Sequence, residues 1–482
     1  MSQTISPIQV YYPKSWSGLT TDNHLSAIFA DEPQLVSDVI SRVFSQTNYM
    51  GLDSLLTKVG TKELDTDNDY EWFLKGDDRK AVDIVSYTAV ETARPGAGRT
   101  IIKLTLAEKY FAFTDKLIFD NRDYSVRVVS EPYSDGVNWV YEVKLMGNDD
   151  TRFVPAAQLA AGKRVSKLYS PQERTLLKTY GQTSFSSPFK MRNLFSTLGK
   201  EYTVPGNMHQ RPMVIRLTDP NSSKTTNMWT QYADWEFISQ WMREKDNNLL
   251  YSEFNQNANG TFEMKGASGF PVIEGAGLRQ QISPSYKFNY TTFTIDYLLE
   301  ILLNLSINIL PEDSREFVLL TGERGMVQFH TALENKAALF QPLDSKRISG
   351  SGQNLGVSGQ YREYMGPQGV KVTVMHLPQY DDTVDNRTPH PDGGFTENYR
   401  YTILNFGTTE GEPNIVKVYP KNRKDIMRYI PGTTSPFGPI GASGGMSMAA
   451  SKVDGYEMLC HTTQGIMVKN PMTCAELIYS AA

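Results

Sequence analysis

The stretch from Thr294 to Glu334 constrains the fold more than any other part of this sequence. Apolar residues recur at helical spacing between positions 295 and 309, and a polar stripe follows the opposite side. This pattern predicts an amphipathic helix that ends at Pro311, since proline disfavours the helical conformation of the residue before it. Phe317 to Leu320 predicts a strand, and Met326 begins a second helical face.

A pair of glycines, Gly322 and Gly325, lies between that strand and the second helix. A glycine turn at this position is typical of phosphate-binding loops. The segment TGERGMV lacks the Gly-Lys-Ser/Thr ending, however, and its Gly-x-x-Gly spacing differs from the dinucleotide fingerprint. We therefore expect a turn that serves packing.

Composition excludes several classes of protein. The 482 residues allow two to four domains at roughly 150 residues each. The net charge of -5 gives no general basic field for nucleic acid, and two cysteines exclude a disulfide framework. Cys460, Cys474 and His461 match no zinc spacing. The first residues do not resemble a signal peptide, and Tyr297 to Leu310 is too short and too polar to span a bilayer.

The N-terminal region predicts an arm followed by a helix. Ser2 to Ala30 has no clear period, yet it carries Tyr11, Tyr12 and Trp16, which must be buried against the body of the subunit or against a neighbour. Asp31 then caps a helix. The apolar stripe of this helix comprises Leu35, Val36, Val39, Ile40, Val43 and Phe44.

The next thirty or so residues, Gly51 to Lys80, are mixed and polar. Asp65, Asp67 and Asp69 form an acidic run that lacks the glycine and the distal glutamate of a calcium-binding EF-hand loop. A solvated loop is the interpretation we prefer here.

Ala81 to Met146 has the alternating pattern of β-strands. Tyr124 to Ser130 and Trp139 to Leu145 predict a hairpin, because an Asp-Gly turn precedes the second strand. Between two earlier strands lies the glycine-rich segment ARPGAGRT, with Arg94 and Arg99. Two interpretations stay open: a projecting tip that contacts a neighbouring subunit, or an ordinary surface loop.

A second strong helix is predicted from Asn227 to Phe254, after a less regular region between residues 149 and 213. Trp229, Ala233, Phe237 and Trp241 follow one another at four-residue steps. Because further apolar residues broaden this face, the helix should be buried on more than one side, in a core or between subunits.

The C-terminal half alternates strands with polar loops. Strands are predicted at Val370–His376, Tyr401–Phe406 and Ile415–Tyr419. Glycine-rich or proline-rich loops are predicted for 345–369 and 431–450.

Two polar groups in this half permit a binding interpretation besides exposed surface. The segment 378–397 contains oxygen and imidazole groups that could bind a metal ion if they converged: Asp381, Asp382, Asp385, His390 and Asp392. A short basic cluster that could meet nucleic-acid phosphates comprises Lys421, Arg423, Lys424 and Arg428.

No motif in the sequence carries catalysis. Neither a His-Glu-x-x-His arrangement nor a Gly-x-Ser-x-Gly elbow occurs, and Ser443 has no nearby motif that supplies a base. We therefore predict no catalytic, cofactor-binding or metal-binding residues and no cofactor. The aromatic content of 11% fits a large subunit interface, but it fits a sugar-binding protein equally well.

Three segments resemble the major capsid proteins of tailed phages, and most of all those of crAss-like gut phages. The glycine-rich Asn247 to Ile282, which follows the long helix, resembles the stretch after the family's spine helix. FVLLTGERGMVQFHTAL, residues 317–333, resembles the family's strand and short helix. Gly455 to Ser480 resembles its closing strands. The predicted arm and the β-rich block occur where the family has its N-terminal arm and its extended loop.

The resemblance implies an α+β fold of the HK97 type. It implies an N-terminal arm with a helix over 1–50 and an extended β-hairpin loop over 51–165. It also implies a peripheral domain over 166–340 and 451–482, with a spine helix near 227–254. The axial domain would comprise 341–450. Lysine-to-asparagine crosslinks occur in some members, but no stretch here allows those residues to be assigned.

The predicted function is a major capsid protein that self-assembles into pentamers and hexamers of an icosahedral head. The head would enclose double-stranded DNA without sequence-specific binding, and would involve no membrane. Portal, scaffolding and decoration proteins are expected partners, with assembly in the host cytoplasm. The predicted self-assembly contacts are Tyr11, Tyr12, Trp16, Arg94 and Arg99. The alternatives are a tail or decoration protein and a cytoplasmic carbohydrate-active enzyme.

Overall fold

The structure is a computed structural model. The residues that it describes are 51–175, 183, 185–206, 212–218, 225–307, 309–310, 315–334, 341–343, 348–350, 353–355, 361–366, 369–409, 411–433 and 451–481. The predicted arm with Tyr11, Tyr12 and Trp16, the helix predicted from Asp31, and residues 434–450 of the predicted loop lie outside these ranges.

The described residues mix helices and strands, which confirms the α+β class. The α-helices are α1 (Leu52–Val59), α2 (Ala156–Leu159), α3 (Trp229–Tyr251), α4 (Leu278–Gln281), α5 (Ile295–Ser306) and α6 (Glu323–Glu334). None of these helices is long and apolar enough to cross a membrane.

The strands fall into several sheets. In the first half of the chain they are β1 (Thr61–Leu64), β2 (Asp69–Leu74), β3 (Ala81–Ala89), β4 (Ile102–Leu106), β5 (Lys116–Phe119), β6 (Ser125–Val128), β7 (Tyr133–Ser134), β8 (Trp139–Leu145), β9 (Arg164–Tyr169), β10 (Phe189–Leu194), β11 (Ser196–Pro205), β12 (Pro212–Thr218) and β13 (Thr225–Met228). In the second half they are β14 (Lys287–Tyr290), β15 (Glu316–Thr321), β16 (Gln341–Leu343), β17 (Ile348–Gly350), β18 (Gln353–Leu355), β19 (Tyr361–Met365), β20 (Lys371–His376), β21 (Tyr401–Asn405), β22 (Thr408–Thr409), β23 (Glu412–Pro413), β24 (Ile415–Pro420), β25 (Ile426–Pro431), β26 (Gly455–Val468) and β27 (Ala475–Tyr479).

The chain divides into two compact units. The first unit contains the described residues up to Trp72 and from Arg192 onwards, and the second contains Phe73 to Met191. The second unit is therefore an insertion into the first.

The second unit is a closed antiparallel barrel of six strands. Around the ring the order is β3, β4, β8, β6, β5 and β9, and β9 pairs with β3 to close it, while β7 adds a short pairing to β8. Because side chains alternate along each strand, one set of apolar residues fills the interior. This core comprises Val82, Ile84, Ile102, Leu104, Leu106, Phe111, Leu117, Phe119, Val126, Val128, Tyr141, Val143, Leu145, Val154, Leu159 and Val165.

The barrel confirms the predicted strands and corrects one prediction. The expected hairpin is present as the antiparallel pair of β6 and β8. The region 149–213, expected to be irregular, instead contains β9, β10, β11 and β12. β9 was missed because only Val165 of its six residues is buried, so the strand shows little apolar alternation.

The acidic run forms the solvated loop that was predicted, because Asp65 and Asp67 are exposed between β1 and β2. The surrounding segment, residues 51–80, contains more structure than its mixed and polar composition indicates. This segment holds α1, β1 and β2, and β1 pairs in parallel with β24. In α1 the spacing of Leu52, Leu55, Leu56 and Val59 places all four side chains in the core. This apolar pattern is only eight residues long and is followed by acidic residues, so the sequence gives a weak helix signal.

The first unit contains a sheet organised around β26, its longest strand. β26 pairs with β11, β24 and β25, and β24 pairs in turn with β1. The predicted long helix is confirmed as α3, which begins at Trp229 and ends at Tyr251. Phe237 and Trp241 of α3 are buried in a cluster with Cys460 of β26.

A seven-stranded sheet forms the other layer of the first unit. Its order is β14, β27, β21, β15, β20, β19 and β16, and the pairs β14–β27 and β15–β20 are parallel. The predicted strands of this region are confirmed. α5 begins after Thr294, whose hydroxyl accepts a hydrogen bond from the Tyr297 amide. α5 ends at Ser306, earlier than the predicted end at Pro311, because the backbone of Ile307 is already extended.

The predicted domain boundaries do not follow these sheets. A division between 166–340 and 341–450 would separate β15 from its partners β20 and β21. It would also separate β26 from β24. The 51–165 boundary differs as well, because α1 and β1 belong to the first unit and the barrel unit runs from 73 to 191.

Two predicted loops contain more structure than expected. The 345–369 segment holds β17, β18 and β19, and Tyr364 of β19 is buried. The 378–397 segment, expected to be exposed, buries Tyr380 and His390. Polar and glycine-rich composition concealed these buried positions.

We expect Leu104→Ala to destabilise the barrel by about 3 kcal/mol, because it leaves a cavity among fully buried side chains. Hydrogen exchange followed by mass spectrometry should show faster exchange in β3 to β9. Val90→Ala is the matched control, since Val90 lies in the same unit and is 80% exposed. Equal exchange in the two variants would contradict the assignment of this core.

Candidate functional site

The glycine-rich tip between β3 and β4 is fixed by contacts with residues 149–154 of the same unit. The Gly98 amide donates to the Asp150 carbonyl at 2.7 Å, and the Val154 amide donates to the Pro95 carbonyl at 2.9 Å. Gly96 and Gly98 adopt positive φ angles of 82° and 62°, which glycine allows without strain. The tip therefore has a defined conformation.

Both predicted contact residues of the tip bind their own unit. Arg94 donates to the Thr151 carbonyl at 2.7 Å and lies over the ring of Phe153. Arg99 pairs with Asp150 at 3.0 Å, and both side chains are at least half exposed. An exposed pair of this kind contributes little to stability, so these side chains are available at the surface. Contact with a neighbouring subunit stays a prediction.

A buried ion cluster fixes the N-terminus of α1, which follows the predicted arm and the helix predicted from Asp31. The Asp53 carboxylate accepts from the ammonium groups of Lys417 in β24 and Lys245 in α3. Lys245 also pairs with Asp425 at 3.0 Å. The Lys417 side chain is 2% exposed and the Lys245 side chain 10%. Burial alone would raise the pKa of Asp53, but the two ammonium groups outweigh it and lower that pKa.

Asp246 completes this cluster from the side of α3. Its carboxylate accepts a hydrogen bond from the Asp53 amide at 2.5 Å, at the first turn of α1. A Cβ at Gly51 would lie 1.9 Å from this carboxylate, so a larger residue would displace the carboxylate from the Asp53 amide. Burial, followed by the nearby charge of Asp53, raises the pKa of Asp246 to about 7. The start of α1 is thus held in place by ion pairs and by close packing at Gly51.

The glycine turn at the start of α6 is a packing turn, as predicted. A Cβ at Gly322 would lie 2.6 Å from an Asp381 oxygen, and a Cβ at Gly325 would lie 1.9 Å from the Thr321 hydroxyl. The Asp381 carboxylate accepts from the Glu323 amide at 2.8 Å. This carboxylate occupies the position at the helix N-terminus where a bound anion would lie.

The five metal-ligand candidates of the 378–397 segment are not brought together at one site. Asp381 also bonds to Asn398 and to His376. His390 stacks on Tyr399 at 3.7 Å between ring centroids, and burial lowers its pKa. Across the part of the chain that the structure describes, no group of three His, Cys, Asp or Glu residues is placed to hold a metal ion.

The basic cluster predicted after β24 lies at the surface. Lys421, Arg423, Lys424 and Arg428 are all exposed. Lys424 lies over the ring of Tyr419, and Arg423 approaches Asp67 at 4.0 Å. Contact of this cluster with nucleic-acid phosphates stays a prediction.

Sequence reasoning missed an exposed apolar segment between α3 and α4. Residues 256–272 fold on themselves through turns, with isolated bridges that join Gln256 to Phe262 and Lys265 to Pro271. Phe270 is nevertheless 75% exposed and Met264 69%. Large apolar side chains in a segment without any period were the available signal.

Comparison with known proteins identifies the class to which this chain belongs. The family described as crassvirus major capsid protein matches residues 2–482. The chain is 32% identical, over an alignment of 506 residues, to the major capsid protein of Bacteroides phage crAss001, with 99% of both chains covered. The chain belongs to the family of crassvirus major capsid proteins, which are structural components of the virion. This confirms the predicted resemblance and the predicted function of a major capsid protein.

Comparison with solved structures finds chains of low overall similarity. The capsid protein of the cyanophage P-SCSP1u shows 9% identity and a TM-score of 0.37, with 95% of both chains covered. An encapsulin from Synechococcus elongatus shows 11% identity and a TM-score of 0.32, with 65% of this chain and 83% of that chain covered. The family assignment rests on the sequence matches alone.

We expect Asp246→Asn to stabilise the protein at pH 8 more than at pH 5. The folded-state pKa of about 7 exceeds the ordinary value of 3.8, so the wild type loses stability as the pH rises from about 4 to 7. Asparagine removes this titration and still accepts the Asp53 amide. The expected gain at pH 8 is on the order of 1 kcal/mol, or about 2 °C in Tm.

Differential scanning fluorimetry at both pH values measures this effect. Asp65→Asn is the control, because Asp65 is exposed in the same unit. A change in Tm that is the same at pH 5 and pH 8 would show that Asp246 has an ordinary pKa.

Proposed function

We propose that this chain is the repeating subunit of an icosahedral phage head with an HK97-type fold. Its pentamers and hexamers enclose double-stranded DNA without reading its sequence, and they assemble in the host cytoplasm with portal, scaffolding and decoration proteins. The chain acts mechanically and has no enzymatic activity. The observation that carries this proposal is the match to major capsid proteins over residues 2–482.

The domain roles follow the sheets rather than the predicted boundaries. We assign α3 and the β26-centred sheet to the peripheral domain, because the long helix and the closing strand belong to it. The seven-stranded sheet with α5 and α6 is the axial domain. The barrel, residues 73–191, occupies the place of the extended loop.

Assembly depends on contacts spread over many copies. Tyr11, Tyr12 and Trp16 of the arm cover a neighbouring subunit, and Arg94 and Arg99 contact another from the barrel. The exposed Phe270 and Met264 belong to the same contact surface, since apolar side chains at this exposure are typical of interfaces. Many modest contacts together stabilise a closed shell.

The direct test is negative-stain electron microscopy with light scattering on the full chain expressed alone, then with co-expressed scaffolding protein. Closed shells, or pentamers and hexamers, support the proposal. A monodisperse monomer under both conditions, or turnover on a panel of glycans, would overturn it.

We predict that deletion of residues 2–30 leaves a folded subunit that fails to form closed shells. The ion cluster around Asp53 lies after the deleted segment and keeps α1 in place. Circular dichroism checks folding, and electron microscopy checks assembly. Normal shells from the truncated chain would show that the arm is not needed.

Arg99→Ala should change the free energy of unfolding by less than about 0.5 kcal/mol, because the pair of Arg99 with Asp150 is exposed. It should raise the protein concentration required for assembly several-fold. Arg79→Ala is the control, since Arg79 also forms an exposed pair with Asp77 in the same unit. Equal assembly of the two variants would exclude Arg99 as a contact.

A further inference from the structure

A small polar cavity in the first unit lies outside every contact assigned so far. Its volume is about 250 Å³, and it lies among the C-terminal part of α3, α4 and the segment after β20. The lining residues that matter here are Tyr251, Arg279, Gln379, Asp382, Asp385 and Glu397.

The lining of this cavity has an excess of negative charge. Glu397 binds the guanidinium of Arg400 through both oxygens. Glu476 pairs with Arg279 at 3.0 Å, with Arg400 at 2.8 Å and with Lys287 at 3.9 Å. Asp382 and Asp385 form no ion pair with any residue that the structure describes. Three cations therefore face four carboxylates, which leaves one negative charge for a ligand to neutralise.

The Tyr251 phenol lies close to the charges of this cavity. Burial is the main cause that raises the pKa of Tyr251 to about 12, and the charge of Glu397 raises it further. Asp385 acts in the same direction as Glu397, whereas Arg279 and Arg400 lower this pKa.

A second observation at the same place concerns a buried amide. Gln379 lines the cavity and is only 5% exposed, yet among the described residues neither its side-chain oxygen nor its side-chain nitrogen has a hydrogen-bond partner. Buried polar groups are almost always paired, so the unpaired amide oxygen beside the cavity points to a ligand with hydrogen-bond donors, while the amide nitrogen would need an acceptor such as water.

The chemistry of the cavity selects a guanidinium group. Guanidinium is planar and carries five N–H donors, which suit carboxylates together with an amide oxygen. A metal ion does not fit, because no group of three His, Cys, Asp or Glu ligands exists among the described residues. Phosphate groups are excluded by the two unpaired carboxylates.

The charge distribution of the chain indicates the source of this group. Residues 73–191 hold 18 lysines and arginines against 14 aspartates and glutamates, a net charge of +4, although the whole chain carries -5. The rest of the chain, which contains the cavity, is therefore acidic. Opposite charges of this kind guide the association of copies and fix their register.

We propose that this cavity receives an arginine side chain from residues 73–191 of a second copy of this chain. The inference rests on the proposed function, since it assumes that copies assemble. It specifies a polar socket that sets the register between neighbours, in addition to the arm and tip contacts.

The test compares assembly of three full-length proteins by light scattering and electron microscopy. Asp382→Asn/Asp385→Asn should raise the concentration at half-assembly about tenfold. The control Asp65→Asn/Glu300→Gln makes the same change of charge at two exposed positions of the same unit and should assemble like the wild type. Equal assembly of all three proteins would overturn the inference, whereas a wild type that does not assemble even with co-expressed scaffolding protein would instead overturn the proposed function.

Two further measurements distinguish a cavity that binds an arginine of a second copy from one whose residues only stabilise the subunit. Ethylguanidinium chloride should inhibit assembly of the wild type more strongly than ethylammonium chloride at equal ionic strength, and the double variant should lose this difference. Gln379→Leu should raise Tm, because it removes the unpaired amide, and should still weaken assembly about threefold. If the two salts inhibit equally, or if Gln379→Leu assembles normally, no arginine enters the cavity.

Discussion

Burial of two lysine ammonium groups around one carboxylate is the constraint on which the first unit depends. Lys417 and Lys245 approach Asp53 from β24 and α3, and Asp53 belongs to α1. Removal of one partner from a buried ion pair costs about 3–5 kcal/mol, because the remaining charge is left without compensation. The three elements must therefore stay together. The apolar core around Leu52, Leu56 and Ile415 then excludes water from them.

This ion cluster fixes the start of α1, so the residues that precede α1 begin from a defined position. The chain that precedes α1 is anchored at Gly51, where the carboxylate of Asp246 leaves no room for a side chain. The closed barrel also limits how neighbouring copies can bind. Because its ring of six strands is closed, none of these strands presents an unpaired edge for uncontrolled pairing. Contacts with neighbours then depend on side chains, which can be specific.

Periodicity predicted the elements whose patterns are long. The stripes of α3 and α5 and the apolar run of β15 were all visible in the sequence, and the structure confirms them. Short elements were missed where charge interrupts them, as in α1, whose eight residues precede an acidic run. The pairing of strands within each sheet could not be predicted from the sequence either. No local pattern shows that β14 pairs with β27, nearly two hundred residues away.

The ion cluster could not be predicted for a physical reason. In β24 the alternation of the sequence IVKVYP suggests that Lys417 faces solvent, yet all six residues are buried. Only the approach of Asp53, 364 positions earlier in the chain, makes that burial acceptable. The cavity beside Asp382 and Asp385 is similar, since its walls come from three separate segments. The sequence identified these acids but not the glutamine and tyrosine that surround them.

Cryo-electron microscopy of the particles formed by this chain tests the account most directly. We predict closed icosahedral shells in which the Asp53 carboxylate of every copy lies between Lys417 and Lys245, while residues 2–30 of that copy lie on a neighbouring subunit. Particles that are not closed shells would contradict the account. So would shells in which each arm packs only against its own subunit.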